Sequence, residues 1–237
     1  VGDGDFTGMG RRFLDHFITV GGLRPDDRVL DVGCGIARMA LPLTTFLTPS
    51  AEYWGSDPLP EGIAWCRAHV TSKFPNFHFD VADVWSKSYN RRGTILARDY
   101  VFPYRDESFD FVFATSVFTH LLPADAANYL ANIARVLRPG GRSFVTWFLL
   151  NERSRISEAA QDFHYPAEPD AVCMAVSRVE LEKAVAFEEQ YVREAYRNCG
   201  LAMDEPVRYG RWARSDGGPA FQDIVVARKL PLDRARH

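Results

Sequence analysis

The residues best placed to do chemistry lie in Val29-Leu30-Asp31-Val32-Gly33-Cys34-Gly35-Ile36-Ala37-Arg38. Gly33 and Gly35 let the backbone turn tightly and let a ligand approach bare main chain. A helix starting after such a turn offers its N-terminal N–H groups to an anionic group. The acid at Asp31 repels a pyrophosphate, but it accepts hydrogen bonds from an ammonium group or its waters. A nucleotide-like ligand carrying a carboxylate for the N–H groups and an ammonium for the acid satisfies both demands, and S-adenosylmethionine has both.

An apolar run ending in glycines reads as a buried strand of a covered parallel sheet, here 28–33. Before it, Phe13, Phe17 and Ile18 recur at helical spacing within 9–20, and Gly21-Gly22 stops that helix. The pattern then predicts a helix at 37–47, a strand over Tyr53–Asp57, and a helix at 60–73 with Ile63, Cys66 and Val70 on one face. A third strand runs from Asn76 to Asp83, and 86–100 reads as an insertion without a period. Phe109–Ala114 is a fourth strand and Ala126–Leu137 a strong helix, ended by Pro139-Gly140-Gly141. Ser143–Leu149 is a fifth strand, and 151–180 reads as a loop with a short helix. Helical spacing returns over Phe187–Cys199 with Gly200 as cap, and strands at 207–212 and 223–227 flank a turn-rich connection that suits antiparallel pairing. This alternation argues an α/β fold on a parallel sheet, closed by an antiparallel C-terminal pair.

Composition narrows the function. The 237 residues, 46% hydrophobic and 25% charged, suit one domain with a full core. A net charge of −3 gives no general pull toward nucleic acid or anionic membrane. Cys34, Cys66, Cys173 and Cys199 form no CxxC pair, so free thiols in a reducing compartment, and hence a cytoplasmic location, are expected. No apolar run reaches the length of a membrane span. No His/Asp cluster has metal-ligand spacing, so no metal site is expected. The chain begins at Val1, and its first residues do not resemble a signal peptide.

Taken together these motifs resemble the class I S-adenosylmethionine-dependent methyltransferases, over roughly residues 11–229. Val29–Arg38 is similar to the family's first motif, with Ala37 where a third glycine is common. Ala134-Arg135-Val136-Leu137-Arg138-Pro139-Gly140-Gly141 is similar to a structural landmark before strand five. The resemblance implies a Rossmann-like seven-stranded, mostly parallel sheet with an antiparallel C-terminal strand and helices on both faces. It implies one methyltransferase domain over 1–237, with 1–22 as an N-terminal lid and helix and 151–185 as a cap on the acceptor side. It also implies S-adenosyl-L-methionine as cofactor and S-adenosyl-L-homocysteine as product. Asp31, Gly33, Cys34 (through its backbone), Gly35, Asp57, Asp83, Val84 and Ser116 are then cofactor residues. Asp57 matches the acid that grips the ribose hydroxyls, and Asp83 the polar residue that meets the adenine amino group. Arg38 either meets the cofactor carboxylate or lies on the surface.

Two histidines are candidates for the catalytic base. His120 follows strand four in Ser116-Val117-Phe118-Thr119-His120, and serves as a base or as a positioning and capping residue. His164, in Phe163-His164-Tyr165-Pro166, is a base or substrate ligand, or else a plain loop residue. Tyr209, Trp212 and Arg214 either line a substrate wall or pack a hairpin. The expected acceptor is a small molecule, through a hydroxyl of a saccharide or secondary metabolite, with nitrogen and carbon acceptors as alternatives. The loop after strand four lacks the Asn/Asp-Pro-Pro-Tyr/Phe signature of methylation on nucleic-acid bases, so no nucleic-acid partner is expected. A homo-oligomer is compatible with the sequence. An NAD-dependent oxidoreductase shares the strand–turn–helix, but Asp31, Asp83 and the C-terminal pair argue against it. A methyltransferase fold kept only as a binding module is the remaining alternative.

Overall fold

A computed structural model describes residues 5–167, 172–213 and 218–231. Its main sheet has seven strands: β1 (Val29–Val32), β2 (Tyr53–Asp57), β3 (Phe77–Val81), β4 (Phe109–Ala114), β5 (Leu137–Trp147), β10 (Leu201–Met203) and β11 (Asp223–Lys229). Their spatial order is β10-β11-β5-β4-β1-β2-β3. The paired central strands run parallel, and β11 runs antiparallel to both β5 and β10. All four residues of β1 are buried, as a central strand covered on both faces requires.

Helices α1 (Phe6–Thr19), α2 (Ala40–Phe46) and α3 (Pro60–Cys66) cover one face, while α4 (Pro123–Val136) and α6 (Glu189–Asn198) cover the other. The aromatic periodicity of α1 decides its docking. Phe17 is fully buried, 4.4 Å from Phe113 and 4.9 Å from Phe144 between ring centroids. Burial of such a ring contributes roughly 1.5–3 kcal/mol. The Asp5 side chain caps α1 by accepting the Gly8 N–H at 2.8 Å. Among the described residues, no helix is long and apolar enough to cross a membrane.

Several expected elements move. The helix expected at 37–47 begins only at Ala40, because residues 35–39 continue the turn. The described residues of 151–185 are more ordered than a loop. β6 (Leu149–Leu150), β7 (Tyr165–Pro166), β8 (Cys173–Ala175) and β9 (Val185–Glu188) form a second sheet in the order β6-β9-β8-β7, with the short α5 (Glu158–Gln161) between β6 and β7. Phe187 therefore belongs to β9 and not to the following helix; a short apolar run such as Val185-Ala186-Phe187 fits either period. The strand expected at 207–212 reduces to one bridge, Arg208 to Ile224, and the strand paired with β11 is β10, directly after the left-handed Gly200. β5 starts at Leu137, with a register shift against β4 between Phe109 and Phe111.

The insertion after β3 is tied to α4 by two asparagines. The buried Asn132 accepts the Phe102 N–H at 3.0 Å and donates to the Tyr100 carbonyl at 3.2 Å. Asn128 donates to the carbonyls of Ala97 and Tyr100, both at 2.8 Å. Leucine at position 132 orphans the Phe102 N–H, so Asn132→Leu should lower the unfolding free energy in urea by about 1–3 kcal/mol. Unchanged stability would mean that the insertion holds itself.

Candidate functional site

A cavity of about 560 Å³ opens where the parallel strands end. Ligands of open α/β sheets bind in this position, because loops from several strands converge beyond the carboxyl ends. The turn after β1, the end of β2, the loop after β3, the loop after β4 and the start of α4 all contribute wall.

Strand two holds the glycine turn. The N–H groups of Gly33 and Cys34 both donate to the Ser56 carbonyl, at 2.7 and 3.1 Å. The Gly35 N–H donates to Asp57 Oδ2 at 2.8 Å, and Asp57 Oδ1 accepts the Leu59 N–H at 2.9 Å. The N–H groups of Gly33, Cys34, Gly35 and Ala37 are thus already used, and α2 starts only at Ala40. This corrects the expectation that the Gly33–Gly35 backbone is free to cradle an anion. The cation for an anionic group is Arg38, on the cavity wall, with its guanidinium 5.3 Å from the Phe6 ring centroid. Among the described residues Arg38 has no ion-pair partner. Residues 1–4 of the expected lid lie outside the described residues; of its remainder, Phe6 is the part that meets Arg38.

The glycines have a steric cause. Gly33 sits at φ +82°, and a Cβ there would meet Val117 Cγ2 at 2.4 Å. Gly35, at φ +55°, faces open space, so its bare backbone borders the cavity. Ala37 occupies φ +65°, the left-handed region that glycine enters freely. The departure from the family motif at this position therefore falls on a conformation that favours glycine.

The three predicted acids separate. Asp57 lines the cavity; burial raises its carboxyl pKa, and the Leu59 and Gly35 N–H groups offset part of that rise. Each of its oxygens keeps acceptor capacity for a hydroxyl. Asp31 is fully buried behind the turn and does not line the cavity. Its Oδ2 accepts the Tyr53 hydroxyl at 2.6 Å, its Oδ1 has no partner among the described residues, and burial pushes its pKa up to about 8. Asp83 is exposed and off the cavity wall. Its carboxylate accepts the Thr94 N–H at 2.9 Å and the Thr94 hydroxyl, and these bonds lower its pKa. Asp83 thus closes its own loop, whereas its neighbour Val84 lines the cavity.

The histidines separate as well. His120 lines the cavity with Nδ1 2.9 Å from the Glu182 carbonyl oxygen. His164 is exposed, tilted against the Tyr165 ring and bonded to the Gln161 carbonyl, away from the cavity wall. Its loop packs along the second sheet, which corrects the expectation for this residue. Tyr209 bonds to Glu189 at 3.0 Å, and the buried Trp212 donates to Asp223 at 2.7 Å; both serve packing and not a wall. Arg214 lies outside the described residues.

Ser116 lines the cavity in a left-handed conformation, φ +58°. Its N–H donates to Thr146 Oγ1 at 2.8 Å, and its hydroxyl donates to Gln222 Oε1 at 3.0 Å. Thr146 also donates to Gln222 Oε1, at 2.7 Å. Gln222 shares the cavity wall with Asp125, Tyr129 and Glu182, none of which the sequence marks as a site residue. Asp125 carried a visible signal only for the first turn of a helix, and it does cap α4 by accepting the Leu122 N–H at 3.3 Å.

Residues 30–145 match a family model described as a methyltransferase domain. A 27-O-demethylrifamycin SV methyltransferase of Amycolatopsis mediterranei is 31% identical over 140 residues, 59% of this chain and 45% of that protein. The chain spans about half the length of the curated relatives it matches. Two solved structures share the fold. One is a SAM-dependent methyltransferase from Methanosarcina mazei, with TM-score 0.60 and 19% identity, covering 90% of this chain and 97% of that one. The other is the 1,6-didemethyltoxoflavin-N1-methyltransferase of Burkholderia thailandensis, with bound 1,6-didemethyltoxoflavin and S-adenosylhomocysteine. Its TM-score is 0.59 at 17% identity, covering 96% of this chain and 80% of that one.

Asp31 makes the stability of the ligand-free protein depend on pH. In the unfolded chain its carboxyl ionises near 3.8, whereas the folded protein keeps the proton to about 8. Between these values the unfolded state binds fewer protons, so stability falls as pH rises from about 4 to 8 and levels off above. Ligand-free Asp31→Asn should show a smaller fall in Tm across this window and a higher Tm than the parent at the alkaline end. An equal fall in both proteins would contradict the buried, neutral carboxyl.

Proposed function

We propose that the chain is a class I S-adenosylmethionine-dependent methyltransferase, which the methyltransferase-domain match over residues 30–145 supports, and that it transfers the cofactor's methyl group to a hydroxyl of a small molecule. The observation that carries the reading is the placement of Arg38, Asp57 and His120 on one cavity beside the glycine turn. The residues present fit the cofactor. Arg38, without an acid partner, would take its carboxylate, and Asp57 would accept from the ribose hydroxyls. Val84 gives an apolar surface for the adenine, Gly35 permits close approach, and Ser116 borders the same space.

When bound, S-adenosylmethionine supplies an activated methyl on a sulfonium and leaves as S-adenosylhomocysteine. The protein's task is mainly to hold acceptor and cofactor in line. A hydroxyl acceptor also needs a base. With Nδ1–H donated to the Glu182 carbonyl, neutral His120 keeps its Nε2 lone pair, which takes the hydroxyl proton. The segment 151–185 serves as the acceptor-side cap, since it brings Glu182 to the cavity wall. The methylated oxygen named in the Amycolatopsis relative supports a hydroxyl acceptor, and the acidic lining suits a small molecule over nucleic acid.

Calorimetric titration with S-adenosylhomocysteine and, separately, NAD tests this reading. Micromolar binding of the former alone is expected. Asp57→Ala should weaken it at least about tenfold, or ~1.4 kcal/mol, through loss of the ribose acceptor and release of Gly35. Binding of NAD alone, or full affinity in Asp57→Ala, would overturn it.

A further inference from the structure

The far wall of the cavity carries negative charge that the cofactor residues do not use. Asp125 and Tyr129 lie one turn apart on α4, so they share a helix face, and both line the cavity with Glu182. Tyr129 is 7% exposed, its ring edge-on to Phe102, and its hydroxyl has no hydrogen-bond partner among the described residues. The ring is buried while the hydroxyl borders the cavity, where it is an open hydrogen-bonding group for a ligand. Glu182 uses its backbone carbonyl to hold His120, but its half-buried carboxylate forms no ion pair among the described residues. Asp125 accepts backbone N–H groups and likewise has no ion pair.

Burial raises the carboxyl pKa of both acids; Arg98 offsets part of the rise at Asp125, and the field of Asp125 raises that of Glu182 further, with Lys87 offsetting part. The basic groups on the cavity wall are Arg38, at the cofactor turn, and His120. A neutral polyol can donate hydrogen bonds to two carboxylates, but it leaves their repulsion in place. A cation removes the repulsion and regains the desolvation cost.

We propose that the acceptor carries a protonated amino group, held by Glu182 and Asp125 beside the Tyr129 hydroxyl, with its methylated hydroxyl toward His120. This rests on the methyltransferase reading above and narrows its substrate class to hydroxylated amines.

Tyramine and 4-hydroxyphenethyl alcohol form a matched pair for the test. They share a ring and a phenolic hydroxyl and differ in the ammonium group alone. Each is titrated at neutral pH into protein saturated with S-adenosylhomocysteine. Tyramine should bind at least fivefold more tightly than the alcohol. In Glu182→Gln/Asp125→Asn the preference should disappear, while S-adenosylhomocysteine affinity stays at the parent value. Glu182→Gln alone, which leaves the α4 cap intact, should lose most of the preference if the double variant folds poorly. Equal binding of the two probes, binding of neither, or a preference that survives both substitutions would overturn the proposal. A loss of S-adenosylhomocysteine affinity in the variants would also overturn it, by assigning the carboxylates to the cofactor. Failure of the parent protein to bind S-adenosylhomocysteine would instead remove the underlying methyltransferase reading.

Discussion

The Asp57 carboxylate, accepting the Gly35 and Leu59 N–H groups, is the contact on which the site depends. Together with the Ser56 carbonyl, which takes the Gly33 and Cys34 N–H groups, it fastens the turn after β1 to the end of β2. Hydrogen bonds to an ionised acceptor are stronger than neutral ones, and the carboxylate that accepts these is buried. They fix the left-handed turn through Gly33, Gly35 and Ala37, and that turn carries Arg38 to the cavity wall. The geometry puts the Arg38 side chain forward to meet an anion, since the Gly33, Cys34 and Gly35 N–H groups are occupied internally.

Around this fixed floor the chain builds a roof from two separate segments. The insertion after β3 is bound to α4 by Asn128 and Asn132, and the segment before β9 brings in Glu182. The two meet where the Ser88 hydroxyl donates to Glu180 at 3.0 Å. The base candidate His120 is held from this roof, through the Glu182 carbonyl, and not from the floor. The part of the site that would recognise the cofactor and the part that would recognise the acceptor are thus supported by different elements. A parallel sheet with variable loops at its carboxyl edge allows them to change independently.

The sheet and the glycine turn were legible in the sequence because their signals are local. Apolar runs ending in glycine or acid marked β1 and β2, and helical spacing marked α1 and α4. The second sheet was not legible: β7 has two residues and β8 three, too few for any period to show, and the apolar run of β9 continued the helical pattern of α6. The same limit applies to the site. Asp57 and Arg38 could be read from a motif, but Gln222 reaches Ser116 from 106 residues away, and nothing near it hints at that contact. His120 and His164 were both candidates for the base in the sequence; the path of the chain puts one on the cavity wall and the other on the surface. Asp83 carried the expected type at the expected spacing, yet Thr94, eleven residues on, claims its carboxylate.

A crystal structure of the protein with S-adenosylhomocysteine tests the central assignment most directly. The account predicts the ligand's carboxylate at the Arg38 guanidinium and its ribose hydroxyls on Asp57, with Asp57 still accepting the Gly35 N–H. A ligand whose carboxylate is held by turn N–H groups freed from Ser56, or whose ribose lies away from Asp57, would contradict it.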